Sequence, residues 1–342
     1  MIKHSYRHTG TFEFEAGGNI TDLQVAYHTS PEPYVENDKR KVIWICHALT
    51  ANSDAEDWWP EIVGPGKLLD TDKYFIVCGN MLGSCYGSSG PSSTNPDTGK
   101  PYFFDFPKVT VRDIVRALDL VRESLGIKQI DLLIGSSIGG FQALEWSIMK
   151  PDLIRNAAYI ATGARVSPWL TAFEECQRMS LEADLTFRAC KDLNGGKEAL
   201  KCARAIALIS YRCSEGYNMK QHEDGEDTLF ADKVCRYQHH QGDKLAERFD
   251  AYSYWYLSYS VDSNNVGRGR GGVEKALGRI RAKALVVSID TDLIFPPEEI
   301  EEWAPWIPGA EYCKMTSHFG HDGFLLETRQ LVSSLQPILA KL

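Results

Sequence analysis

Five short runs in this chain, VIWIC (42–46), YFIVC (74–78), IDLLI (130–134), NAAYI (156–160) and ALVVSI (284–289), are apolar at nearly every position rather than at alternate ones. A strand that is apolar on both faces must be covered on both, which is the condition of a central strand in a parallel sheet. Helical patterns lie between these runs. TVRDIVRALDLVRESLG (110–126) repeats its apolar residues at three- and four-residue intervals and stops at Gly126. Residues 139–149 have a helical pattern that ends before Pro151. Strands alternating with helices predict an α/β protein with a mostly parallel, doubly wound sheet.

From about Pro168 to Val261 no buried strand is evident, and segments 169–191, 197–211 and 243–259 have helical patterns. The strand signal returns at 284. This order predicts a helical lid inserted into one α/β core. The core spans 1–167 and 272–342, and the lid spans 168–271 and ends in the glycine-rich GRGRGG (267–272). AYSYWYLSY (251–259) is expected to pack in the core, with a dimer contact or a tunnel wall as the alternatives.

The chain has 342 residues and a formal net charge of −9, which argues against a nucleic-acid or anionic-membrane binder. No run is apolar enough to span a bilayer, and MIKHSYRHTGTFEFEAGG lacks the apolar stretch of a secretory signal. Nine cysteines, an odd number with no CxxC pair, predict a reduced, cytoplasmic chain with neither disulfides nor a metal site.

Residues 132–146 read LLIGSSIGGFQALEW. Gly135, Ser137 and Gly139 fit the frame G-x-S-x-G, and Ser136 does not. The frame places a serine on a strained strand-to-helix turn, with free N–H groups at the start of the helix aimed at developing negative charge. A serine hydroxyl is a weak nucleophile until a base takes its proton. An acid after a late strand and a histidine near the C-terminus should follow it in chain order. SIDTDLIFPPEE offers Asp290 and Asp292, and SHFGHDGFLLE offers His318 and His321. The residue types do not choose between the members of either pair. The oxyanion hole is assigned to the backbone N–H groups of Ile138, after the nucleophile, and Leu49, in the CHALT loop after the first buried run. His47 in that loop is read as structural.

Several stretches taken in order resemble the homoserine O-acyltransferase family: CHALTANSDAEDWWPEIVGPGKLLDTDKYFIVCGNMLGSCYGSSGPSS, TNPDTGKPYFFDFPKVTVRDIV, GSSIGGFQALEW, SYRCSEG, NVGRGRGG, SIDTDLIFPPEE and FGHDGFLLE. The resemblance covers most of the chain and is weakest over 165–245. It implies the α/β-hydrolase fold with a helical lid, and it selects Asp292 and His321 to complete a triad with Ser137. It further implies that Arg212, in Tyr211-Arg212-Cys213, and Asp322, directly after the histidine, bind the substrate. The family usually carries serine where Cys213 stands, and glycine and methionine where Ser136 and Ile138 flank the nucleophile.

The activity implied is ping-pong transfer of an acetyl group from acetyl-CoA, a co-substrate rather than a resident cofactor, to the hydroxyl of L-homoserine, a step of methionine biosynthesis. An amino-acid acceptor brings a carboxylate for Arg212 and an ammonium for Asp322. The resemblance also implies a homodimer, expected through the lid. Arg268 and Arg270 are expected either to touch the CoA phosphates or to form a plain hinge. The rival readings are a succinyl donor or a serine acceptor on the same triad, a plain esterase, and an inactive binding module.

Overall fold

The computed structural model describes residues 1–35 and 38–342. The buried runs become β3 (Val42–Cys46), β4 (Phe75–Gly79), β5 (Leu132–Ser136), β6 (Asn156–Ile160) and β7 (Lys283–Ile289). Three further strands flank them: β1 (Ile2–Glu13), β2 (Asn19–Thr29) and β8 (Glu311–Met315). All eight form one sheet in the order β1-β2-β4-β3-β5-β6-β7-β8. β3 to β8 are mutually parallel, whereas β1 pairs with β2, and β2 with β4, antiparallel.

Side-chain alternation splits each central strand between two cores. Trp44, Leu133, Tyr159 and Val286 face one apolar cluster. Ile43, Ile45, Ile134, Ile160 and Val287 face the other, which the C-terminal helix Thr328–Leu339 covers. The helices Val111–Ser124 and Ile138–Met149 cover the first face. The former starts at a capping box, in which Thr110 and Asp113 satisfy each other's backbone N–H groups.

Between β6 and β7 the chain is helical: Pro168–Ala183, Leu185–Ala189, Lys197–Tyr211, Ser214–Gln221, Lys233–Ala246 and Ala251–Asp262. The sequence pattern joins 243–259 into one helix, but the chain breaks there. Asp250 caps a new helix by accepting from the Ser253 N–H at 2.7 Å. Tyr252, Tyr254 and Tyr256 of that helix are at most 2% exposed, so core packing accounts for them. The Tyr256 hydroxyl donates to the Phe106 carbonyl at 2.5 Å, pinning this helix to the sheet layer.

The glycine-rich exit is held by ion pairs. Arg270 pairs with the buried Glu145, and Arg268 pairs with Glu15 at 3.0 Å. Arg112 joins the same network through Glu15, Glu145 and the Arg268 carbonyl. Both arginines of GRGRGG therefore help to tie this loop to the core. No helix among the described residues is long and apolar enough to cross a membrane.

Candidate active site

Strand order fixes where the chemistry can sit. β4 lies on one side of β3 and β5 on the other, so a crevice opens beyond the C-terminal ends of β3 and β5. The loop carrying Leu49 leaves β3 there, and Ser137 leaves β5.

Ser137 adopts φ 56°, ψ −128°, a conformation that L residues rarely hold. The flanking glycines are needed for contact as well as for bending. A Cβ on Gly135 would lie 2.1 Å from the Gly139 carbonyl oxygen, and one on Gly139 would lie 2.1 Å from that of Cys46. A Cβ on Gly140 would meet Thr162 Oγ1 at 2.4 Å. The Ser137 N–H donates to the Ile160 carbonyl at 3.0 Å, and its carbonyl accepts from Thr162 Oγ1 at 2.8 Å. With its backbone locked this way, Ser137 presents its side chain to a cavity of about 560 Å³. Its neighbour Ser136 is 1% exposed, and its hydroxyl has no partner among the described residues. Of the two serines, only Ser137 reaches the cavity.

Asp292 follows β7 and His321 follows β8, at the same edge of the sheet. His321 Nδ1 lies 2.7 Å from Asp292 Oδ2, and the second carboxylate oxygen accepts from the Ile294 and Phe295 N–H groups at 2.9 and 3.0 Å. An acceptor so placed puts the imidazole proton on Nδ1 and leaves Nε2 free to act as a base. His321 is 3% exposed, with Tyr211, Phe295 and Phe324 rings 5.9, 5.3 and 5.2 Å from its own. His321 and Ser137 line the same cavity. Among the described residues no hydrogen bond joins them, a separation common in ligand-free sites that tighten on substrate.

The other members of each pair have structural roles. Asp290 accepts the Ser317 N–H at 3.0 Å and braces the histidine loop. His318 is exposed and faces Glu215 at 3.3 Å. His47 is fully buried, with Nδ1 2.9 Å from the Ala48 carbonyl and Nε2 accepting the Met81 N–H at 3.1 Å. Burial pushes its pKa down to about 4, so it stays neutral and shapes the loop that carries Leu49. Leu49 also lines the cavity, and Ile138 opens the helix with its N–H in the unpaired first turn.

Two glycines let the lid close on the histidine loop. Gly320 holds φ 62°, and a Cβ there would approach the Tyr211–Cys213 backbone to within 2.8–2.9 Å. A Cβ on Gly216 would collide with the His318 carbonyl oxygen. This packing brings Arg212 Nε to 3.0 Å from Asp322 Oδ2, with the N–H turned off the oxygen. Asp322 faces the catalytic cavity, and Arg212 faces a separate slot of about 20 Å³ beside Tyr217 and Phe319. Sequence reasoning missed Arg204 and Tyr211, which also line the catalytic cavity, with Lys244 and Arg248 at its exposed mouth. The available signal was the spacing of Arg204 and Tyr211, two turns apart on one helix and so on one face.

Comparison with known proteins agrees with this geometry. A family model for the alpha/beta hydrolase fold matches residues 41–189. Esterase E22 superposes with a TM-score of 0.89 over 99% of both chains at 23% identity, which speaks to the fold alone. The homoserine O-acetyltransferase structure from Staphylococcus aureus superposes with a TM-score of 0.81 at 30% identity, covering 99% of this chain and 95% of that one. The homoserine O-acetyltransferase of Cyclobacterium marinum is 42% identical over 319 residues, 93% of this chain and 89% of that protein. With a nucleophile elbow, a buried acid–imidazole pair and this likeness running nearly end to end, the chain belongs to the homoserine O-acetyltransferase family of the α/β-hydrolase fold.

Proposed function

We propose that the protein transfers an acetyl group from acetyl-CoA to the γ-hydroxyl of L-homoserine through an acetyl-Ser137 intermediate, a step of methionine biosynthesis. The observation that carries this reading is the convergence of Ser137, His321 and Asp322 on one cavity, with Asp292 behind the imidazole. His321 Nε2 takes the Ser137 proton as Oγ attacks the thioester carbon. The Leu49 and Ile138 N–H groups stabilise the oxyanion, each worth on the order of 3 kcal/mol. The C–S bond breaks and the proton leaves on the thiol of CoA. His321 then removes the homoserine hydroxyl proton, the new ester forms, and Ser137 Oγ recovers that proton. Asp292 stays ionised and stabilises the imidazolium in both halves.

Arg212 and Asp322 form the acceptor-binding pair in this reading, with Asp322 facing the cavity where an ammonium would sit. No resident cofactor or metal enters any step. The reading also includes a cytoplasmic enzyme that pairs through its lid. Exposed apolar side chains on lid helices support the pairing: Met179, Leu185, Ile209 and Met219 are 61, 79, 57 and 68% exposed. The test is product formation from acetyl-CoA or succinyl-CoA with homoserine or serine. The expected product is O-acetylhomoserine, with the other three combinations at least about tenfold slower in kcat/KM, a discrimination of ~1.4 kcal/mol or more. Faster succinyl transfer, faster acetylation of serine, or acetate release without transfer would overturn it.

A further inference from the structure

The two oxyanion donors are held by unequal means. The Ile138 N–H opens a helix behind an elbow fixed by steric contact, where a Cβ on Gly139 would lie 2.1 Å from the Cys46 carbonyl oxygen. Leu49 instead rides on a turn after β3. One end of that turn is anchored in the core: His47 Nε2 accepts the Met81 N–H at 3.1 Å, and the His47 carbonyl accepts from Gln142 Nε2 at 3.4 Å. The Ala51 N–H closes the turn on the Ala48 carbonyl at 3.0 Å, with Leu49 and Thr50 at its corners. The far side meets the lid. Arg248 Nη1 donates to the Thr50 carbonyl at 2.5 Å and to the Tyr86 hydroxyl at 2.6 Å. Among the described residues no carboxylate pairs with Arg248, so its charge acts on this loop.

The linker that carries Arg248 is itself fixed. It joins the lid helices Lys233–Ala246 and Ala251–Asp262. The Arg248 and Phe249 N–H groups both donate to the Leu245 carbonyl, at 3.0 and 2.9 Å, and Asp250 caps the next helix. Phe249 is 5% exposed and meets the Tyr86 ring edge-on at 5.6 Å. Tyr86 and Arg248 line the catalytic cavity together with Leu49 and Ser137. The turn after β3, the loop after β4 and the lid linker thus meet at one guanidinium on the cavity rim. Resting on the acetyl-transfer reading above, in which the Leu49 N–H binds the oxyanion, we infer that Arg248 is a positioning residue through which the lid holds the Leu49 turn in place. Without its bond to Thr50 the outer edge of the turn faces water, and the Leu49 N–H shifts in a site where an error of about 1 Å costs roughly 100-fold in rate. The oxyanion hole is therefore complete only with the lid seated on the core.

The experiment compares wild-type enzyme with Arg248→Met, which keeps the stem and loses the donors, and with Arg248→Lys. The readouts are CoA release from acetyl-CoA, discharge of acetyl-Ser137 by L-homoserine, and inhibition by methylboronic acid, whose boron adds the Ser137 Oγ to form a tetrahedral anion. Arg248→Met should slow both half-reactions by about tenfold, as for the loss of one charge-assisted hydrogen bond. It should weaken methylboronic acid by a similar factor and leave the half-saturating acetyl-CoA concentration within about threefold, because the oxyanion forms only after the substrate is bound. Arg248→Lys, which keeps a charged donor without the fork, should recover part of the loss in all three readouts. A change below about twofold in either half-reaction, or an unchanged affinity for methylboronic acid, would overturn the inference. So would a loss confined to acetyl-CoA saturation, which would make Arg248 a donor-binding group. Failure of the acetyl-transfer reading looks different: water discharges wild-type acetyl-Ser137 faster than homoserine does, and Arg248→Met slows that hydrolysis by the same factor.

Discussion

Replacing Asp292 by asparagine changes one atom yet should disable the base. Asp292 Oδ1 accepts two backbone N–H groups, from Ile294 and Phe295 at 2.9 and 3.0 Å, and Oδ2 faces His321 Nδ1 at 2.7 Å. An asparagine has a single acceptor oxygen, and the two backbone donors hold it in the Oδ1 position. Its NH2 group must then face Nδ1, which becomes an acceptor, and the ring proton moves to Nε2. The nitrogen nearest the cavity is then already protonated and cannot take the Ser137 proton. The same exchange in a serine-protease triad costs about 10⁴ in kcat, equivalent to ~5 kcal/mol of barrier. Stability should change little, by about 1 kcal/mol, because every buried polar atom keeps a partner. The assay is stopped-flow release of CoA from acetyl-CoA, with thermal melting of the same sample. Asp292→Asn should melt within a few degrees of the parent and acetylate Ser137 thousands of times more slowly. Retention of more than about a tenth of the acetylation rate would show that the carboxylate does not set the tautomer.

Two other sites yield quantitative expectations. Glu174, on the lid helix Pro168–Ala183, is 2% exposed, and burial, opposed by Arg178 and reinforced by Asp262, raises its pKa from 4.5 to about 8. The folded protein keeps this proton where the unfolded chain loses it, so the residue lowers stability progressively as pH rises from about 4.5 toward 8, on the order of 4 kcal/mol in all. Glu174→Gln should flatten that decline in Tm against pH, and parallel curves for variant and parent would contradict it. Gly139→Ala drives a Cβ to 2.1 Å from the Cys46 carbonyl oxygen, backbone against backbone. It should cost about 3 kcal/mol or more in urea unfolding, and a change below about 0.5 kcal/mol would mean that the elbow is looser than described.

The parts of the molecule legible in sequence are those where one physical demand dominates. β3, β5 and β6 are buried on both faces, so no polar residue interrupts their signal. β1 and β2 line a sheet edge with one face in water, and IKHSYRHTGTFE carries one buried residue in twelve, which hides the strand. β8 is similar, with only Met315 buried in EYCKM. Lys233–Ala246 buries only Gly242, Leu245 and Ala246, too few for a helical period to stand out. The elbow was legible because Gly135, Ser137 and Gly139 answer to steric contacts at fixed spacing. Choosing Asp292 over Asp290 needed the resemblance, since both are short acids after one strand and only the fold decides which of them meets an imidazole. Arg204 stayed hidden because nothing local distinguishes an arginine facing a cavity from one facing water.

The most direct measurement is the fate of the acetyl group when no acceptor is present. Acetyl-CoA mixed with the enzyme alone should release CoA in a burst equal to the number of chains, and peptide mass analysis should find the acetyl group on Ser137. Added L-homoserine should then discharge it as O-acetylhomoserine, faster than water discharges it as acetate. A burst that survives in Ser137→Ala, an acetyl group on another residue, or CoA release only after both substrates are bound would contradict the account.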